Sequence, residues 1–423
     1  MSLKKSNLAL AIAAAAGLTF SSGAFATNGI IPAGNGMAAH GLGGAGLSNA
    51  AEASSGIDNP ALISQTGDAT SVAWSMFMPD RTADSSGASV NINPPNVNST
   101  GAEAKSDSKM FAIPQVALTS KLSDQMSFGL LAYAMGGMNT DYRTGQFPTG
   151  LGQTAPQSVN LQGLIVAPTV SFAFNKNVSA GASLLIGYTT LTTRNLFGQG
   201  AAGTNEGSAM GYGVKLGVDA KVADGISVGA MLQPKVAMDE ISYFKTFMSG
   251  FGFAGDAALT LPNEVGVGAK FALGKNADIV GDILYYQWTS VDVLEFFGWE
   301  DQIVYKLGAE FRPSESLALR VGFNYGKSPI QGGNRTGTGA MDAAFANYPF
   351  PAISESHFTF GLGYKMDKKL TINAYYLYSP ETSQTATTPS TLATTPSVVT
   401  VSPGTEIRMS QNAFGLGVSY ATK

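Results

Sequence analysis

Two groups of residues have the types and spacing that chemistry would need. Gly41, Gly43 and Gly46 in "HGLGGAG" keep the G-x-G-x-x-G interval that lets backbone N–H groups close around a pyrophosphate. His40 and His357 are the only histidines, and Ser354 and Ser356 stand close to the second, as a hydrolytic serine–histidine pair would require. Neither group is complete. A dinucleotide loop follows a buried strand and opens a helix, whereas these glycines follow "TNGIIPAGNGMAA", which is not a strand–helix unit. His357 has no recognisable acid partner, and the absence of cysteine excludes thiol catalysis, disulfides and Cys-ligated zinc. No enzyme, cofactor or metal site is therefore expected.

The elements that must carry these residues are read from the rest of the chain. Lys4 and Lys5, an apolar run over 8–18 and the small-x-small triplet Ala24-Phe25-Ala26 read as a secretory signal peptide over 1–26. No later run reaches the roughly 20 apolar residues of a membrane-spanning helix. Charged residues make up 13% of the chain, about half the usual share of a soluble domain. With 51 glycines and a net charge of -4, the exported chain is glycine-rich and has no basic field for nucleic acid.

Alternation carries the fold. In "NAFGLGVSY", Phe414, Leu416, Val418 and Tyr420 fall on one face and Ala413, Gly415, Gly417 and Ser419 on the other. "LALRVGFNYG" and "ESHFTFGLGY" repeat the pattern. Read this way, strands fall near 70–80, 109–120, 124–137, 162–174, 178–192, 208–221, 225–237, 257–271, 276–290, 301–312, 316–327, 354–366, 369–380 and 408–421. Short and long connections alternate between them, as periplasmic turns and extracellular loops do in outer-membrane barrels. The expectation is an all-β fold, a 14-stranded antiparallel transmembrane β-barrel over 70–423, with residues 27–69 as an N-terminal hatch (plug) filling the lumen. A soluble β-sandwich or propeller would leave the Phe/Leu/Tyr face exposed.

The segment "GLGGAGLSNAAEASSGIDNPALI" resembles the N-terminal hatch of the FadL-type transporters of the bacterial outer membrane. Weaker resemblance follows in "IPQVALTSKLSDQMSFGLLAYAMGGMNTDY", "LTLPNEVGVGAKF" and "ADIVGDILYYQW". The resemblance implies the same plugged barrel in the outer membrane, with Asn59, Pro60 and Ala61 as the motif that closes the hatch. It implies uptake of long-chain fatty acids, or alternatively aromatic hydrocarbons or other small hydrophobic compounds. It further implies that substrate is captured in a loop groove, held in the lumen, released by hatch movement, and let out sideways into the membrane past a kinked third strand. Hydrophobic substrate and outer-membrane lipid are then the partners of a monomer.

Residues can be assigned to each step. Gly136 and Gly137 are candidates for the kink, with an ordinary glycine-rich strand end as the other reading. Tyr243, Phe244, Phe247, Met248, Phe251 and Phe253 form one apolar loop cluster, and Leu294, Phe296, Phe297 and Trp299 a second. They are either the substrate groove or an extension of the interfacial aromatic girdle. Strand parity turns Lys215, Lys235, Lys306 and Arg320 into the lumen. Asp219 and Glu310 share faces with Lys215 and Lys306, which leaves Lys235 and Arg320 as candidates to bind a carboxylate. Asp278 and Asp282 face inward as partners for wall salt bridges. A general diffusion porin, a structural barrel and an outer-membrane enzyme are the competing classes; a sealed hatch predicts almost no ion conductance, unlike a porin.

Overall fold

Strands of this chain place a bulky apolar side chain on every second residue, and the structure resolves where those faces go. The computed structural model describes residues 28–93, 97–100, 102–143, 157–196, 204–250, 252–330, 341–394 and 397–422. The candidate signal peptide and Phe251 lie outside the described residues.

Fourteen antiparallel strands close into a barrel. They are β1 Ala69–Asp84, β2 Phe111–Lys121, β3 Met126–Tyr142, β4 Gln157–Ala173, β5 Val178–Arg194, β6 Thr204–Ala223 and β7 Ile226–Gln233. The circuit continues through β8 Asn263–Leu273, β9 Ala277–Gln287, β10 Gln302–Phe311, β11 Leu317–Gly326, β12 Ser356–Lys365, β13 Leu370–Thr385 and β14 Glu406–Ala421. Each pairs with its neighbour in sequence, and β14 closes on β1. Leu416, Phe360, Leu307 and Tyr212 are more than half exposed on the outer wall, while the residues between them are buried or small, as lipid on one side and a filled lumen on the other require.

Prolines account for the shortening of two of the expected strands. β7 stops at Gln233, because Pro234 cannot donate to the ladder, and β8 begins only after Pro262. Residues 234–262 instead leave the wall, tied back by the pairing of Ala237 and Met238 with Tyr212 and Gly211 of β6 and by a bridge between Val236 and Leu261. β3 and β13 run five residues past their expected outer ends. Above them, Ser89–Asn93, Val97–Thr100, Ser390–Thr394 and Ser397–Val401 form a separate four-stranded sheet that joins the loop after β1 to the loop after β13.

Residues 28–68 lie inside the barrel and are almost entirely buried. A short helix, Met37–Gly41, packs on β12 and β13, and His40 stacks on Tyr375 with ring centroids 4.3 Å apart. The following turn has Gly43 at φ 70°, and a Cβ there would lie 2.6 Å from the Phe323 carbonyl oxygen on β11. Only glycine permits that approach.

Candidate functional site

Asn59, Pro60 and Ala61 anchor the inner segment to the wall. Asn59 Nδ2 donates to Leu47 O at 2.7 Å and to Val218 O on β6 at 2.9 Å, while its Oδ1 accepts from Ala61 N. Pro60 opens a turn of 3₁₀ helix, Pro60–Leu62, a position that needs no N–H donor. Ala61 O accepts from Ser179 Oγ of β5. The glycine loop meets an anion after all: Gly46 N and Leu47 N both donate to Asp282 Oδ2, at 2.7 and 3.1 Å. Its backbone amides hold a wall carboxylate.

Above this segment is a cavity of about 40 Å³, room for about three waters. Leu47, Met135, Met231, Leu261 and Leu284 give it apolar walls; Asp58, Lys215, Glu264, Asp282 and Lys306 give it charge. Burial pushes the Asp58 carboxyl up to about 7, against the pull of the Lys306 ammonium and a hydrogen bond from Asn35, and lowers His40 to about 4. Of the four cations expected in the lumen, Lys215 and Lys306 are the two that reach the cavity. Their presumed partners are engaged elsewhere. Asp219 accepts from Ser48 and Gln65, and Glu310 binds Arg312 and Arg320. Arg320, expected to be available for a carboxylate, is committed to Glu310 at 2.6 Å and Asn373 at 3.0 Å. Lys235 sits past the end of β7, half-buried and away from the cavity. Asp278 pairs with Lys270 and Arg312.

The wall breaks between β2 and β3. Their pairing stops at Val116 and Ala132, although β2 continues along β1 to Phe111 and β3 along β4 to Tyr142. The β3–β4 register slips between Ala134 and Gly136, a bulge at Met135, and Gly136 takes φ 140°. Gly137 lies in this same stretch and donates to Ile30 O at 3.3 Å. On the other edge Gln115 Oε1 accepts from Gly36 N at 2.9 Å. The inner segment therefore bridges the break. A small void there, about 20 Å³, shares Pro32, Gly34, Asn35 and Ala134 with the wall of the central cavity.

The two apolar loop clusters come together over the lumen. Phe244 and Met248, on the helix Ser242–Gly250, are buried, as are Leu294, Phe297 and Trp299; Tyr243, Phe247, Phe253 and Phe296 stay half-buried. Phe253 meets Phe296 edge-on at 5.1 Å, and Phe297 meets Phe350 at 5.2 Å. Trp299 crosses Trp288 at 5.0 Å, and Trp288 stacks on Tyr286, which lines the cavity. Rings thus run from the half-exposed loops to the cavity. Phe350 belongs to a cap, residues 341–353, that sequence reasoning missed. The buried Asn347 fastens it, accepting from Trp299 Nε1 at 2.8 Å and donating to Phe297 O and Ala343 O. Across the mouth, Tyr142 donates to Tyr348 O and Tyr348 to Gln157. The signal was present: Phe345, Tyr348 and Phe350 crowd a loop that should be polar, the same criterion that picked out the other two clusters.

Comparison with family models matches residues 12–423 to the family described as outer membrane protein transport protein (OMPP1/FadL/TodX). The chain belongs to this family. Its members sit in the outer membrane, and so does this FadL-family chain. Comparison with curated proteins finds no match. Among solved structures, a Pseudomonas aeruginosa FadL homologue superposes with a TM-score of 0.68 at 14% identity, covering 92% of this chain and 99% of the other. The P. putida toluene transporter TodX gives 0.64 at 18%, covering 92% and 98%. The Ralstonia pickettii toluene transporter TbuX gives 0.61 at 16%, covering 92% and 98%. These likenesses establish the 14-stranded barrel of the family.

Proposed function

We propose that this FadL-family chain is a channel for hydrophobic small molecules. They enter between the half-buried rings of the two loop clusters, pass into the central cavity, and leave sideways between β2 and β3 into the membrane. The wall that cavity and break have in common supports this reading best: Pro32, Gly34, Asn35 and Ala134 border both. Displacing residues 32–35 would join the two spaces without unfolding the barrel. Asn59, Pro60 and Ala61 are the fixed end about which this hatch moves. Sideways release keeps an apolar molecule out of the aqueous periplasm and so retains the free energy of its burial, roughly 0.8 kcal/mol per methylene.

Two substrate readings follow. Relatives described as toluene transporters favour a monoaromatic hydrocarbon, which would need the cavity of about 40 Å³ to widen less than an acyl chain would. A long-chain fatty acid would need a larger displacement of the hatch, with Lys215 or Lys306, in place of Lys235 or Arg320, meeting its carboxylate. Uptake of radiolabelled toluene and oleate by cells lacking the gene, with and without this chain, tests both. Uptake of toluene alone selects the first, oleate alone the second. Equal uptake of each compound with and without the chain ends the transport reading.

A further inference from the structure

The polar wall of the cavity does not end at Lys306. On the inner face one row crosses six neighbouring strands: Asp282 pairs with Lys306, Lys306 with Asn324 and Asn324 with His357. It continues, one step past the Phe358–Tyr378 pair, to Ser379, which pairs with Gln411. Asn324, His357, Ser379 and Gln411 are each 0% exposed. In each, one atom has no hydrogen-bond partner among the described residues: Asn324 Oδ1, His357 Nδ1, Ser379 Oγ and Gln411 Oε1. Such atoms are rare and costly in folded proteins, and here four stand on adjacent strands at one level.

The partners these side chains do have define what the free atoms can accept. Asn324 Nδ2 donates to Gly43 O at 3.2 Å, leaving its amide oxygen. Gln411 Nε2 donates to His357 Nε2 at 2.7 Å, so that Nδ1 carries the imidazole proton and Gln411 Oε1 remains. The row therefore offers one N–H donor, two amide oxygens and a serine hydroxyl able to do either. We propose that this row is a subsite for the hydroxyl of an otherwise apolar ligand, an aliphatic or aromatic alcohol. The inference rests on the channel reading above and narrows its substrate class. A hydroxyl is able both to donate to an amide oxygen and to accept from His357. A hydrocarbon does neither, and a carboxylate would set its oxygens against those of Asn324 and Gln411. Lys306 and Asp282 place the start of the row in the cavity wall, next to where the apolar body would rest.

Equilibrium binding to the purified full barrel in detergent tests the proposal, with toluene against benzyl alcohol and octane against 1-octanol, each corrected for protein-free micelles. The alcohol of at least one pair should bind about tenfold more tightly than its hydrocarbon, the worth of one or two buried hydrogen bonds. His357→Leu and Gln411→Leu should bring that ratio close to one while hydrocarbon affinity is retained. Ser379→Ala, the mildest change, should lower the ratio severalfold, and heat-modifiable gel mobility verifies that each variant is folded. Binding of both members of each pair without preference, or a preference that survives all three variants, overturns the subsite and leaves the channel standing. No binding of any of the four compounds overturns both.

Discussion

The lumen is closed twice, and the two closures are built from different materials. The outer cap is mostly apolar: aromatic rings packed edge to face, held by the amide of Asn347 and the hydroxyls of Tyr142 and Tyr348, with a buried carboxylate, Asp342, fastening it to Thr387 and Thr388. The inner hatch is polar: glycine backbone held by Asp282, Asn59 pinned between two carbonyls, and Asp58 buried between lysines. Below it lies a wide basin open at the periplasmic turns, about 1210 Å³ and edged by Lys275, Lys365, Lys368 and Lys369. The rings of the cap meet through apolar edges and faces, whereas the hatch is held to the wall by polar bonds. On the channel reading proposed above, the contrast gives selection by greasiness to the outer closure and sealing to the inner one.

The harshest way to break that assignment is to delete residues 28–67. Conductance in planar bilayers should then rise at least tenfold, on the reasoning that a lumen of fourteen strands without its filling is a water-filled pore. A conductance unchanged by the deletion would mean that the cap seals the barrel by itself. Next come two matched asparagines. Asn59→Ala and Asn347→Ala should each cost about 3 kcal/mol, since each leaves several buried backbone or indole groups unpaired. The outcomes should separate: Asn59→Ala raises conductance, and Asn347→Ala leaves conductance low while making the cap susceptible to protease. Gly136→Val forces a branched residue into positive φ, costing about 1–3 kcal/mol at the bulge, and should reduce uptake with the barrel still folded.

The smallest effect concerns pH. The Asp58 carboxyl, at about 7 when docked, titrates near 4 when the segment is free. Docking therefore holds the acid in its protonated form. This group leaves docking undisturbed below about pH 4, weakens it progressively as pH rises, and exerts its full cost above about 7. Proteolytic nicking of the hatch should increase severalfold from pH 5 to pH 8, and Asp58→Asn should flatten that response.

Most of the wall was legible in the residues because lipid imposes a strict period of two. Phe414, Leu416, Val418 and Tyr420 point outward as their alternation requires. Cross-strand register was not legible, and the lumen charges depend on it. Glu310 shares a face with Lys306 on its own strand, yet it lies opposite Arg320 on the next, and the guanidinium takes it. That exchange leaves Lys306 in the cavity and removes Arg320 from consideration. Trp288 falls inside the expected strand 276–290, but β9 ends at Gln287 and a turn of 3₁₀ helix carries the ring toward Tyr286 and Trp299, which parity does not foretell. The cap was legible only as the crowding of Phe345, Tyr348 and Phe350, because loops carry no period that would place them.

The short seam between β2 and β3 has a consequence for the barrel as a mechanical object. Only six residue pairs, Val116–Ala132 to Lys121–Ser127, join those strands, against seventeen between β5 and β6. A closed ring under load parts at its weakest joint. Pro114, which has no N–H to lose, lies beside that joint. Heat or force should therefore unzip this barrel there first, and amide hydrogens along the inner ends of β2 and β3 should exchange ahead of those elsewhere in the wall.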